Sequence, residues 1–186
     1  MAGRYFLGVE VPASVCGPEL IELQKRLEPH LDLKRWYRPE QMHLTVQFMG
    51  NLDEVQVATL IDLVEPAVRA HQAFELELGN VGWFPRAKVV WCGIGRDMSA
   101  LQRLQHSVVT ALSAEFDVEA HNHGEYRPHI TLGRLYSADL KFRPESVGAP
   151  PSGLSWVVDG VHLYESVSSG PTGPDYPIRH TFSLQK

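Results

Sequence analysis

The feature that most restricts this chain is a short pattern used twice. Met42-His43-Leu44-Thr45-Val46 and Pro128-His129-Ile130-Thr131-Leu132 share the order His, apolar, Thr, apolar, and lie 86 residues apart in a chain of 186. With nine His and six Thr in the chain, random placement gives about 0.3 His-x-Thr triplets. Two of them inside apolar runs therefore mark a repeated unit. Each run reads as a strand, in which successive side chains point to opposite faces. His43 and Thr45 then share one face against Leu44 and Val46, and His129 and Thr131 share one against Ile130 and Leu132. A strand that buries aliphatics and presents an imidazole and a hydroxyl, repeated at half-chain spacing, predicts two lobes with a pseudo-two-fold relation.

The remaining pattern is α+β. Strands are predicted over 4–11, 34–37, 43–49, 74–78, 88–94, 129–136, 156–164 and 178–184. Leu20, Ile21, Leu23 and Leu27 predict a helix over 18–27, and Leu101, Leu104, Val108, Leu112 and Phe116 another over 98–116. A third begins near Asn51-Leu52-Asp53-Glu54, with Val57, Leu60, Ile61, Val64 and Val68 on one face. The Pro/Gly-rich segments 144–153 and 170–177 are predicted surface loops. Alternating rather than continuous apolar patterning favours antiparallel sheets. The expectation is one bilobal domain over residues 1–186: two antiparallel sheets lining a central cleft, helices outside, and about one long helix beside each motif.

Composition narrows the function. Hydrophobic residues make up 44% and charged residues 21%, an ordinary globular balance. No apolar run approaches the ~18 residues of a membrane span, and the apolar stretch Tyr5–Val9 is short and broken by Glu10, unlike a signal-peptide core. Cys16 and Cys92 are the only cysteines, so free thiols in the cytoplasm are expected, with no disulfide and no cysteine zinc site. A net charge of −5 opposes non-specific coating of nucleic acid, which draws on many phosphate contacts. Any nucleic-acid role is then local, at a terminus or a single linkage.

If the lobes close on each other, two imidazoles and two hydroxyls meet in one cleft. Imidazole titrates near neutral pH, so one ring can be neutral while the other is protonated. Such a pair can take a proton from a nucleophile and give one to a leaving group. Thr45 and Thr131 can donate to non-bridging oxygens of a phosphoryl centre as charge builds there. Metal-free phosphodiester cleavage fits this inventory best.

The blocks Arg35–Gly50 and Tyr126–Arg134 closely resemble the signatures of the 2H phosphoesterase superfamily, in particular the RNA 2′,3′-cyclic phosphodiesterases, also called 2′-5′ RNA ligases. The opening strand Arg4–Pro12, the segment Phe84–Gly93 and the stretch Val161–Ser166 are similar as well. The resemblance implies a bilobal fold and hydrolysis of an RNA 2′,3′-cyclic phosphate to a 2′-phosphomonoester, with no metal or other cofactor. It implies His43 as the acid that protonates the departing O3′ and His129 as the base that activates water; the near-symmetric motifs alone do not assign these roles. It also implies joining of tRNA-half ends through a 2′-5′ linkage. RNA ends or cyclic nucleotides are the expected partners, with a monomer and no membrane.

Arg134, five residues after His129, matches a family arginine that contacts phosphate, although simple alternation puts it on the Ile130 face. Arg127 either joins the substrate site or merely flanks the strand. Phe48 matches a family aromatic that stacks on the base, while alternation places it opposite His43, in the core. Trp36 and Tyr37 carry the same two readings. Val46 stands where relatives often have Leu. Gly133 stands where relatives often have Ala or a larger apolar residue, a change expected to alter packing. Two rivals remain. His121, His123 and His129 could suggest a metal site, with Glu125 as the nearest carboxylate. A non-catalytic RNA-end binder on the same fold is the other.

Overall fold

The computed structural model describes residues 1–122, 124–150 and 153–186. The chain enters as β1 (Gly3–Glu10), turns at Pro12 into α1 (Ala13–Leu27), and returns as β2 (Leu33–Trp36) and β3 (His43–Leu52). Helix α2 (Glu54–Arg69) starts where expected: Asp53 caps it by accepting from the Gln56 N–H at 2.8 Å, and the Gln56 side chain reaches back to the Asp53 N–H. The chain continues through β4 (Phe74–Phe84), β5 (Val89–Gly95), α3 (Ser99–Leu112) and β6 (His129–Leu135). It closes with β7 (Ser155–Val158), β8 (Gly160–Glu165), β9 (Val167–Ser168), β10 (Pro174–Asp175) and β11 (Ile178–Ser183).

The strands pair antiparallel in the order β11-β8-β1-β3-β6-β5-β4-β7, with β2 also on β6. The first four form one lobe and the last four the other. The expected two sheets therefore meet edge to edge, between β3 and β6, and their one register pair is Leu44 with Ile130. These two residues are the middle positions of the two His-x-Thr motifs.

Three expectations need correction. The predicted strand 156–164 is two strands at opposite ends of the order: β7 pairs with β4, whereas β8 pairs with β1 and β11. Asp159 divides the run, and its two apolar halves are buried in different places, Trp156 and Val158 on β7 and Val161, Leu163 and Tyr164 on β8. The helices do not stay with their own halves: α1 packs against β6, and α3 packs beside α2 against β3. The loop 170–177 is not merely surface. Pro174–Asp175 pairs with Val167–Ser168 to form a small hairpin, and this strap lies at the mouth of the cleft between the lobes.

One apolar layer underlies both lobes. Leu44, Ile130, Leu132, Leu104 and Leu163 are fully buried, each such side chain contributing about 1.5–3 kcal/mol relative to exposure. Among the described residues no helix is long and apolar enough to cross a membrane.

Candidate active site

Because Leu44 and Ile130 pair in an antiparallel sense, each histidine falls opposite the other motif's threonine. The aliphatic middle residues go into the core, and the polar pairs emerge on the concave face. His43, Thr45, His129 and Thr131 all line one cavity of about 180 Å³.

Strict alternation fails at the same point in both motif strands. Between Gly8 and Leu7 the β1–β3 register jumps from Thr45 to Gln47, so Val46 and Gln47 are both buried and Phe48 returns to the face of His43. On β6 the register with β5 jumps from Thr131 to Gly133, Leu132 and Gly133 are both buried, and Arg134 returns to the face of His129. An extra residue in a strand reverses the parity of all that follows it. Phe48 and Arg134, each five residues after its histidine, therefore both line the cavity. Phe48 is 47% exposed, so the core position expected from alternation is corrected.

The β6 irregularity is held by named groups. The buried amide of Gln24 on α1 donates to the Leu132 carbonyl at 3.0 Å and the Tyr37 carbonyl at 2.7 Å. Trp36 packs on Gly133 so closely that a Cβ there would lie 2.7 Å from its ring and 3.0 Å from the Arg35 carbonyl. Trp36 thus supports the strand, while Tyr37 lines the cleft.

Both imidazoles are tethered in the same way. His43 Nδ1 lies 2.8 Å from the Gln41 carbonyl and His129 Nδ1 lies 2.7 Å from the Arg127 carbonyl, in each case two residues earlier. A carbonyl oxygen only accepts, so Nδ1 carries the hydrogen and Nε2 is left for a ligand. Arg127 supplies that carbonyl, and its side chain is exposed and outside the cavity lining, the placement of a residue that flanks the strand. Burial pushes His43 down to about 4, against the Gln41 bond, with the charge of nearby His129 lowering it further. Burial also lowers His129, against the Arg127 bond. Aromatic rings cause this dryness: Phe6 and Tyr176 lie 4.6 and 4.9 Å from the His43 ring, and Phe84 lies 4.9 Å from that of His129.

Around this pair the cleft is cationic. Arg4, Arg35 and Arg134 line it, and none of its described lining residues is Asp or Glu, in a chain with 22 acids against 17 bases. Arg35 and Arg134 both donate to the Tyr37 hydroxyl, at 3.3 and 3.4 Å. The strap brings Tyr176 against His43, and burial raises its phenol well above the usual range. Buried Gln41 fixes the strap by donating to the Pro174 and Thr172 carbonyls at 2.8 and 3.3 Å, and Arg38 pairs with Asp175 at 2.7 Å.

The His-x-Thr pattern does not reach Arg4, Phe6, Arg35 or Tyr176: the first two lie together on β1 and Arg35 on β2, in family-like segments that attach no role to them, and Tyr176 comes from a loop with no motif. The third histidine cluster resolves only in part. His121 packs over Gly50, His123 lies outside the described residues, and among the described residues no three His, Cys, Asp or Glu side chains gather as a metal site.

A sequence profile of the 2′-5′ RNA ligase superfamily matches residues 11–170. The RNA 2′,3′-cyclic phosphodiesterase of Thermotoga maritima is 30% identical over 181 residues, covering 94% of this chain and 92% of its own. That of Aquifex aeolicus is 29% identical over 171 residues, covering 88% and 90%. Among solved structures, a Thermus thermophilus protein superposes with a TM-score of 0.80 at 26% identity over 98% of both chains. E. coli LigT complexed with 3′-AMP has the same fold, with a TM-score of 0.82 at 23% identity over the whole of both.

Proposed function

The chain belongs to the 2′-5′ RNA ligase superfamily, and from that footing we propose that it hydrolyses RNA 2′,3′-cyclic phosphate ends to 2′-phosphomonoesters. The observation that carries the reading is the matched pair of imidazoles. Each is tied through Nδ1 to a backbone carbonyl, and both line one cleft that offers cations and hydroxyls to a phosphate.

The family pattern gives the roles. Water attacks phosphorus while His129 Nε2 takes its proton. The P–O3′ bond breaks, and protonated His43 Nε2 delivers its proton to O3′, leaving a 3′-hydroxyl and a 2′-monoester. Thr45, Thr131 and the Arg134 guanidinium donate to the non-bridging oxygens, where charge accumulates in the transition state. Before substrate enters, burial holds both rings neutral at pH 7. An entering phosphodiester anion supplies the charge that favours the imidazolium, so substrate binding brings the acid its proton. The donor set suits metal-free chemistry, because hard cations such as Mg²⁺ are held through carboxylates and none lines the cleft among the described residues.

With an RNA 5′-hydroxyl in place of water, the same displacement expels O3′ and leaves a 2′-5′ diester, which is the joining reaction. Incubating an oligonucleotide that ends in a 2′,3′-cyclic phosphate, and identifying the product, tests the proposal. The expected product is the 2′-monoester. A 3′-monoester, or tight binding with no turnover, overturns it, the latter in favour of an RNA-end binder.

A further inference from the structure

Beyond the reacting phosphate, and resting on the hydrolase reading above, we propose that Arg4 binds the phosphate on the 5′ side of the terminal nucleoside. The cleft then selects cyclic ends bearing a 5′-phosphate or an upstream nucleotide over the bare nucleoside 2′,3′-cyclic phosphate.

The β1–β3 register sets the order of groups along the cleft. Gly8 lies beside Thr45, Phe6 beside Phe48 and Arg4 beside Asn51. At about 3.4 Å per residue, Arg4 stands about 7 Å beyond Phe6 and about 14 Å beyond Gly8. A reacting phosphate at the Thr45 level and a nucleoside at the Phe48 level therefore put the next phosphate within reach of the Arg4 side chain.

The three arginines of the cleft differ in what they already hold. Arg35 donates to the Thr172 carbonyl at 3.2 Å as well as to Tyr37, and Arg134 is tied to Tyr37. Arg4 is exposed, lines the cavity, and enters none of the ion pairs among the described residues. The nearest acid on the adjacent strand, Glu165, pairs with Arg179 at 2.6 Å instead. Ser166 also lines the cavity, and its N–H donates to the Arg4 carbonyl at 2.7 Å, so a hydroxyl-bearing residue neighbours Arg4 in the same cavity wall. An uncommitted guanidinium suits a phosphate monoester or diester.

The test compares adenosine 2′,3′-cyclic phosphate with its 5′-phosphorylated form in the wild type, Arg4→Ala and Arg4→Lys. Calorimetric binding of adenosine 2′-monophosphate and adenosine 2′,5′-bisphosphate runs in parallel. The wild type should show a KM at least about fivefold lower for the 5′-phosphorylated substrate and a matching preference for the bisphosphate. That preference should shrink as ionic strength rises, since salt screens an exposed guanidinium–phosphate contact. Arg4→Ala should abolish both differences, and Arg4→Lys should keep part of them. Equal KM values in the wild type, or a preference that survives Arg4→Ala, overturn the inference while leaving the hydrolase reading intact. An Arg4-dependent bisphosphate preference without any turnover sinks the hydrolase reading alone.

Discussion

Leu44 pairs with Ile130 as the one register contact between β3 and β6, and each is the middle residue of a His-x-Thr motif. The seam between the lobes is thus also the floor of the cleft. Two fully buried aliphatic side chains fix the separation and orientation of both imidazoles, because each histidine is one peptide bond away from the pair.

Truncating this seam should cost stability and activity together. Leu44→Ala removes a fully buried side chain where the sheet cannot easily collapse, and about 2–5 kcal/mol of unfolding free energy should be lost. Denaturant titration reads the loss. A change below about 1 kcal/mol would mean that the lobes do not depend on this contact.

The two imidazoles should be separable by leaving group. His43→Ala and His129→Ala should each reduce turnover of a cyclic phosphate about 10²–10⁴-fold. On a p-nitrophenyl phosphodiester, whose leaving group needs no proton, His43→Ala should lose far less than His129→Ala. Equal losses on both substrates contradict the acid role.

The pH profile should be bell-shaped and lie on the acid side. His43 is held down at about 4 and His129 is lowered from its ordinary value of 6.5, so the singly protonated free enzyme is most populated below pH 6.5. There kcat/KM should peak, falling as pH rises further. The stability effect has a defined sign. Below pH 6.5 the unfolded chain binds a proton at these positions that the folded chain refuses, so stability falls as pH drops from about 6.5 towards 4. Thermal unfolding across that window should show the fall, diminished in His43→Gln.

Gly133 should not accept a side chain. An alanine Cβ would stand 2.7 Å from the Trp36 ring and 3.0 Å from the Arg35 carbonyl, and Gly133→Ala should cost about 1–3 kcal/mol through overpacking. Since Arg134 follows directly, KM for a cyclic phosphate should rise too. An unchanged melting temperature and KM would refute the close fit.

Phe48 faces the cleft at the level where a base would sit. Phe48→Ala should weaken binding of a cyclic nucleotide by about 1–3 kcal/mol, the range for base–aromatic stacking, seen as a higher KM with kcat little changed. Ribose 2′,3′-cyclic phosphate, which has no base, should bind both proteins alike; a difference there argues for a packing role instead.

Much of this was legible in the chain. The spacing and surroundings of His43, Thr45, His129 and Thr131 pointed to the strands, their buried sides and the expectation of one shared cleft. Asn51-Leu52-Asp53-Glu54 marked the start of α2. Phe48 and Arg134 were misread by pattern alone, because each follows an extra residue in its strand. Such a shift depends on the partner strand and on groups like Gln24, 108 residues from the Leu132 carbonyl that it holds.

What the sequence determined by itself is local and periodic: strand and helix faces, the paired motifs, and a charge balance that confines any anion site to one place. What only the tertiary structure decided is convergence. The seam at Leu44 and Ile130, the exchange of α1 and α3 between lobes, and the strap that brings Tyr176 to His43 all join residues distant in the chain. So does the gathering of Arg4, Arg35 and Arg134 with no carboxylate among the described lining residues. Periodicity records which way a side chain points along its own strand, whereas the partner it meets depends on packing between distant segments, and no local pattern carries that.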